Sequence, residues 1–423
     1  MPKDQSSPRP WYIATLGGMA SYLEGATMVS LSMAVILLQK QLGLSAWSVG
    51  ALSASLTLSF STGAIVGGRL GDLFGRRVIY SADLVIYALG ALIVILSPNQ
   101  AVLFAGVIVT GLAMGADIPA SLALVAEEAP PGRQGAAVAY SQTLLMTGVG
   151  VSLVISNFVA DAGSLGARLL FGHLLVVSVI VWFLRRGVAE SSAWLKSRAE
   201  KNSTGPRKLK EAFRKPHGTA LLATTLFFVI GGIMPNTLTQ FGPYLIVNLG
   251  HSTMQVFSTI GTVTFVVGLV IALLLQRFAD TKSRTVCLAL GLVALVVGPL
   301  VAILGNFSVA SLTALFILNT VAGSWAGDGM YRIFTQEIFP TEIRSTSQGF
   351  TYGMARYCMA GFGLLTPALV AFSPTLLMLL LIGLGLAAAA IGLLWLPRIP
   401  RHGLNEQTPV TVPADRASVV AHS

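Results

Sequence analysis

Gly68-Arg69-Leu70-Gly71-Asp72-Leu73-Phe74-Gly75-Arg76-Arg77 has an echo later in the chain, Arg277-Phe278-Ala279-Asp280-Thr281-Lys282-Ser283-Arg284. Arg69 matches Arg277, Asp72 matches Asp280 and Arg76 matches Arg284, each 208 residues on. A second pair keeps nearly the same distance, with Glu127 and Pro130 standing 210 residues before Glu337 and Pro340. Matches that recur at nearly one spacing mark an internal repeat about half the chain long.

Composition says what the repeat is made of. Only 10% of the 423 residues are charged and 54% are hydrophobic, against roughly 25% charged in an average soluble protein. Too few charges remain to cover a soluble surface, which excludes a cytosolic enzyme, a nucleic-acid binder and a disordered chain. A bilayer core needs about 20 apolar helical residues. Twelve runs meet that length, at 12–38, 47–66, 78–96, 101–126, 135–159, 167–184, 219–247, 253–275, 285–304, 309–331, 349–372 and 375–396. The expected fold is an all-α membrane protein with twelve transmembrane helices in two six-helix bundles related by a parallel repeat. Its segments are an N-terminal tail (1–11), a first bundle (12–184), a basic linker (185–218), a second bundle (219–396) and a polar, disordered tail (397–423).

The net charge of +10 needs no acidic partner. Of 27 Lys and Arg, 23 lie in the termini and in the loops after spans 2, 4, 6, 8 and 10, so the positive-inside rule puts both termini in the cytoplasm. Ten sit in the linker, from Arg185 and Arg186 to Lys215. Without aromatic interleaving they suit anionic lipid and topology rather than nucleic acid. The expected partners are therefore the lipid bilayer and a small-molecule substrate, with no nucleic acid, and the expected state is a monomer in the cell membrane. Cys287 and Cys358 read as core, and the five histidines have no metal spacing.

A few charges lie where the bilayer penalises them, at least ~2.5–3.5 kcal/mol each. Counting about 1.5 Å per helical residue from the nearest cytoplasmic end puts Glu24, Asp117, Asp328 and Arg356 near the midplane. Such an acid can take up and release a proton as access alternates, which makes Glu24, with Asp117 sharing the proton, the candidate coupling group. Asp328, Arg332 and Arg356 are candidates to face substrate or to pair with each other. Arg332 is expected to lie shallow and snorkel toward the cytoplasm, and Asp83 to pair near a helix end. Tyr22, Gln142, Asn236, Gln240, Trp325 and Tyr352 would suit a polyhydroxy solute, by stacking and hydrogen bonding.

Taken together, these residues resemble the major facilitator superfamily over about 12–396. Gly68-x-x-x-Asp72-x-x-Gly75-Arg76-Arg77 looks like its loop motif, with Leu73 where a basic residue is usual. The resemblance implies a latch, in which Asp72 caps a helix while the arginines pair with acids at span ends. Its candidate members are Gly68, Asp72, Gly75, Arg76, Arg77, Glu127, Arg133, Glu190, Asp280, Arg284, Glu337 and Arg344.

Within the superfamily the sugar-porter branch is most similar. Glu190-Ser191-Ser192-Ala193-Trp194-Leu195 resembles its segment after span 6, and Glu337-Ile338-Phe339-Pro340-Thr341-Glu342-Ile343-Arg344 its span-10 exit motif. Glu127, Pro130 and Gly135 fit the matching motif after span 4, with Arg133 one place early. The branch also implies an acid at the place of Glu24, whereas Val107 stands where its proton-coupled members carry an arginine. Proton-coupled uptake of a sugar or polyol is thus the expected function, the proton being the coupling ion and no cofactor being required. An organic-acid or aromatic-acid:proton symporter is the alternative, because Gly111 to Pro119 also looks like those carriers. An efflux antiporter and a non-transporting nutrient sensor stand further off. No catalytic constellation occurs, so an enzyme is not expected.

Overall fold

The computed structural model describes residues 10–159, 162–200 and 212–402, and among them every regular element is helical. The first six helices are α1 (Pro10–Leu42), α2 (Ala46–Phe74), α3 (Arg76–Ile95), α4 (Gln100–Glu127), α5 (Gln134–Val159) and α6 (Gly163–Arg185). A short helix, α7 (Ser192–Glu200), opens the connection to the second half. There follow α8 (His217–Tyr244), α9 (Met254–Phe278), α10 (Arg284–Leu304), α11 (Val309–Trp325), α12 (Asp328–Ile338), α13 (Arg344–Phe372) and α14 (Pro374–Ala390). Twelve helical stretches are long and apolar enough to cross a membrane, α11 and α12 together making one of them.

Local chemistry explains where the spans begin. Ser45, Asn99, Ser308 and Ser373 each turn a side-chain oxygen onto a backbone N–H three residues on, capping α2, α4, α11 and α14. Such caps satisfy donors that a helix start would otherwise leave unpaired in an apolar setting. Gly75 joins α2 to α3 at φ 104°, a conformation that a side chain resists. A Cβ there would also strike the Glu190 carboxylate.

Span 10 differs from the uninterrupted 309–331 read from the sequence. It breaks after Trp325, and Gly327 (φ −108°, ψ −129°) turns the chain into α12, which runs on to Ile338. Ala326 and Gly327 have almost no side chain to pack, and Asp328 then stands in the first turn of a new helix, where an acid is favoured. Span 7 is irregular too: Pro235 and Pro243 lie inside α8, and a π-turn at Leu245–Leu249 follows. Discontinuities at membrane depth are tolerated where protein surrounds them.

Two expectations for the cytoplasmic segments are corrected. Arg185 is no loop charge, since it closes α6 and is fully buried. At the other end, residues 397–402 are not disordered, and Arg401 pairs with Glu337 at 3.0 Å. The tails at 1–9 and 403–423 and the linker core at 201–211 lie outside the described residues.

Glycine sets the helix spacing. On α4, a Cβ at Gly111 would overlap the Ser59 hydroxyl of α2, and one at Gly115 the Phe60 carbonyl. Between the halves, a Cβ on Gly68 of α2 would strike the Ser345 carbonyl, and one on Gly349 of α13 the Ala64 carbonyl. Close backbone approach of this kind is how helices associate in lipid, where burial alone supplies little drive. Gly115→Val should therefore cost about 1–3 kcal/mol by overpacking and lower the thermal unfolding midpoint in detergent. Gly50→Ala, with no atom within 4 Å of the new Cβ, should not.

Candidate functional site

Where the two halves meet, four charged side chains from three helices form one cluster. Glu24 of α1 is 0% exposed. One of its oxygens accepts from Arg332 of α12 at 2.9 Å. The other accepts from Arg356 of α13 at 2.6 Å and from the Tyr352 hydroxyl at 3.0 Å. Arg332 also donates to Asp328, one helical turn back, at 2.8 Å, to Ser21 at 2.5 Å and to Ser141 at 3.4 Å. Two acids and two arginines make the cluster neutral. Burial of so many charges is tolerable only when each is paired and hydrogen-bonded.

The cluster corrects the reading of Arg332. It does not snorkel to the cytoplasm but is fully buried, pointing across the interface at Glu24. Asp328 four residues before it and Glu24 opposite supply the compensating charge that a snorkelling arginine would have sought in water. Arg356 is the more open of the two, its side chain 18% exposed and lying 5.3 Å from the Phe60 ring centroid. Among the described residues, Nε of Arg356 and Oδ1 of Asp328 meet no hydrogen-bond partner.

The other expected substrate residues are dispersed. Trp325 is committed to packing, its indole N–H donating to the Ile271 carbonyl at 3.1 Å. Asn236 is half-buried, with a weak bond to the Met359 carbonyl at 3.5 Å. Gln240 is exposed, whereas Gln142 and Tyr22 are buried. Only Asp328, Arg332, Tyr352 and Arg356 gather around Glu24. Ser21, Ser141 and Phe60 belong to the same neighbourhood, and nothing in the sequence separates them from packing residues.

Asp117 does not join Glu24. Arg185 of α6 donates to both its oxygens at 3.0 Å, and Ser121 donates to one of them. Asp83 pairs near a helix end, buried beside them and 3.8 Å from Arg185 at the close of α6.

The latch residues form a reciprocal lock. Asp72, from the first half, accepts the backbone N–H of Ser345 at 3.3 Å and of Thr346 at 2.7 Å, capping α13 of the second half. Asp280, from the second half, accepts those of Gly135 and Ala136 at 2.6 and 2.7 Å, capping α5 of the first. Each acid thus stabilises the positive end of a helix in the opposite bundle. Arg76 is buried between Asp72 (2.7 Å) and Glu127 (3.1 Å), and Arg344 reaches Glu127 across the interface at 3.0 Å. In the second half Arg284 pairs with Glu337 at 2.5 Å. Glu190 accepts the N–H groups of Arg76 and Arg77 at 3.0 and 3.1 Å and so caps α3.

Two expected members play other parts. Arg133 is exposed, its guanidinium 5.5 Å from the Trp11 ring centroid, and Arg76 and Arg344 take the place beside Glu127 that the motif would give it. The Arg77 guanidinium is likewise exposed and rests on the Arg186 carbonyl at 3.3 Å.

Residues 14–364 match the sequence profile of the Major Facilitator Superfamily. The chain belongs to that superfamily. It is 29% identical over 402 residues to the minor myo-inositol transporter IolF of Bacillus subtilis, covering 92% of this chain and 91% of that one. To the 3-(3-hydroxy-phenyl)propionate transporter of Escherichia coli it is 24% identical over 358 residues, covering 83% and 85%. The fold superimposes on the proton:xylose symporter XylE, solved with 6-bromo-6-deoxy-D-glucose, with a TM-score of 0.78 at 18% identity, over 94% of this chain and 98% of that one. This superfamily member is a multi-pass membrane transporter with sugar and polyol transporters among its relatives, and it is not an enzyme.

In this member of the superfamily, two arginines of the second bundle stand beside Glu24, and α4 of the first carries no basic residue. Val107 of α4 is buried and apolar, so the countercharge to Glu24 comes from across the interface, and the cluster ties the halves together.

Arg332→Ala takes the arginine from Asp328 and leaves Glu24 with Arg356 as its cation, and it should cost about 3–5 kcal/mol. Glu24→Gln keeps the shape and should cost less, an order that thermal unfolding in detergent reads directly. Asp72→Asn should weaken the α13 cap by about 0.5–2 kcal/mol. Spin labels on Phe74 and Glu342 should then report a longer mean distance across the latch.

Proposed function

We propose that the chain couples uptake of a small polyhydroxy solute, of the sugar or polyol class, to the movement of protons, with Glu24 as the proton-carrying group. The observation that carries the reading is the position of Glu24, fully buried and held by Arg332 and Arg356 of the opposite half. For the central site to change the side it faces, the bundles must part there, and an ionised Glu24 holds them with two charge-assisted bonds. Protonation cancels the charge behind both bonds while the Tyr352 contact can survive. Arg332 keeps Asp328 as its partner. Arg356, already partly open, is then free to meet water or solute. A proton and a solute that favour the same parted state assist each other's binding, as linkage requires.

The similarity to an inositol transporter supports the polyol class. The aromatic-acid transporter among the relatives, together with two arginines in the cluster, favours a second reading in which the solute carries a carboxylate. In either reading the chain works by alternating access in the cell membrane, as a monomer with both termini cytoplasmic.

Purified protein in proteoliposomes, tested with labelled myo-inositol, pentoses and hydroxyphenyl acids with and without an imposed pH gradient, decides between them. Accumulation of a sugar or polyol only under the gradient is the expected result. Glu24→Gln should exchange solute across the membrane but no longer concentrate it. Undiminished accumulation by Glu24→Gln would sink the assignment.

A further inference from the structure

A second buried charge cluster lies wholly within the first bundle and does not balance. Arg185 is 0% exposed, Asp83 and Asp117 are each 3% exposed, and one guanidinium faces two carboxylates. Its remaining bonds go to the Leu16 carbonyl of α1 at 3.0 and 3.3 Å and the Tyr80 carbonyl of α3 at 2.8 Å. The guanidinium also lies over the Tyr80 ring, 3.7 Å from its centroid. With both acids ionised, the cluster would bury one uncompensated negative charge, which costs far more than a protein of ordinary stability can spare.

Compensation comes from a cation or from a proton, and the space decides between them. The void beside the two acids is otherwise lined by Ala20, Leu23, Leu84, Tyr87, Ala113 and Met114, and it is too small for a water-sized guest. A metal ion would find neither room nor further oxygen ligands. The titratable groups that face the two acids from the elements packed here are Arg185 of α6 and Tyr80 of α3, and Tyr87 of α3 lines the void. Among them Arg185 is the one cation.

The hydrogen bonding locates the proton. Asp117 has the donors: both guanidinium contacts and the Ser121 hydroxyl. Asp83 has the adjacent Leu84 N–H on Oδ1, while no donor among the described residues reaches Oδ2. Asp83 and Asp117 line the same void and share one guanidinium, at 3.8 and 3.0 Å, and two carboxylates so placed cannot both ionise cheaply. We propose that Asp83 and Asp117 hold one proton between them, carried on Asp83, and that this proton stays in place while the transporter cycles. Its second part rests on the proposed alternating access. Leu16, Tyr80, Asp83, Asp117, Ser121 and Arg185 all belong to the first bundle, so rocking one bundle against the other leaves their contacts unchanged. Glu24, whose partners lie across the interface, has no such shelter.

Infrared spectroscopy of the purified full chain tests the first part, through the carbonyl stretch of a buried protonated carboxyl. Asp83→Asn should remove one such band at neutral pH. Asp117→Asn should remove the same band, because Asp83 would then ionise as the sole partner of Arg185. Difference spectra without that loss in either variant would overturn the shared proton. Should a variant not fold, alkaline titration of the wild-type protein decides the same question: the band should vanish, and its absence at neutral pH would overturn the proposal. For the second part, Asp83→Asn should transport with the wild-type ratio of protons to solute. A changed ratio in the folded variant would overturn the resident assignment. Should the chain prove not to be proton-coupled at all, the proposed function would fail while the infrared result stands on its own.

Discussion

One carboxylate held by two arginines from the opposite bundle is the contact on which the join between the two halves centres. Glu24 is fully buried, and Arg332 and Arg356 reach it from the opposite half. The same bonds link the two halves. Charge compensation and mechanical closure are therefore one and the same contact. In the proposed reading, whatever neutralises Glu24 also releases this link between the bundles. In an interior of low dielectric that release is worth far more than it would be in water.

Around this centre the repeat has been used twice over in different ways. At the loop ends it is kept nearly intact: Asp72 and Asp280 each cap a helix of the opposite half, and each bundle has its own arginine–glutamate pair. In the core the halves diverge. Asp117 of the first bundle and Asp328 of the second lie 211 residues apart in sequence and each bonds to an arginine. One pair is sealed inside its own bundle, and the other reaches across the interface. A symmetric frame thus holds an asymmetric centre, with the cross-interface cluster in the better position to respond to access.

The frame is readable because it rests on spacing. Apolar runs of fixed length, basic residues at alternate ends and acids at one offset are all visible along the chain, whereas a cap by Asp72 is implied only by the resemblance of its motif, and no local pattern names α13 as the helix it caps. The site is only half readable. Glu24 betrays itself as a charge at depth, but its partners lie 308 and 332 positions away, and no local pattern names them. Arg332 is misjudged when depth is counted along an unbroken helix, with no account of acids within reach of the side chain. Arg185 looks like a loop charge because it ends a hydrophobic run, and Arg133 stands one place early in its motif and is exposed. In each case the deciding fact is a three-dimensional neighbour.

The break in span 10 gives its lower part a separate identity. α12 is a rod of 11 residues, detached from α11 at Gly327 and followed by the turn at Phe339 and Pro340. On it ride Asp328 and Arg332 at one end and Glu337, bonded to Arg284 and Arg401, at the other. A stiff element pivoted at both ends and loaded at both ends is a lever. A tilt of this rod would carry the ion pairs at both of its ends together.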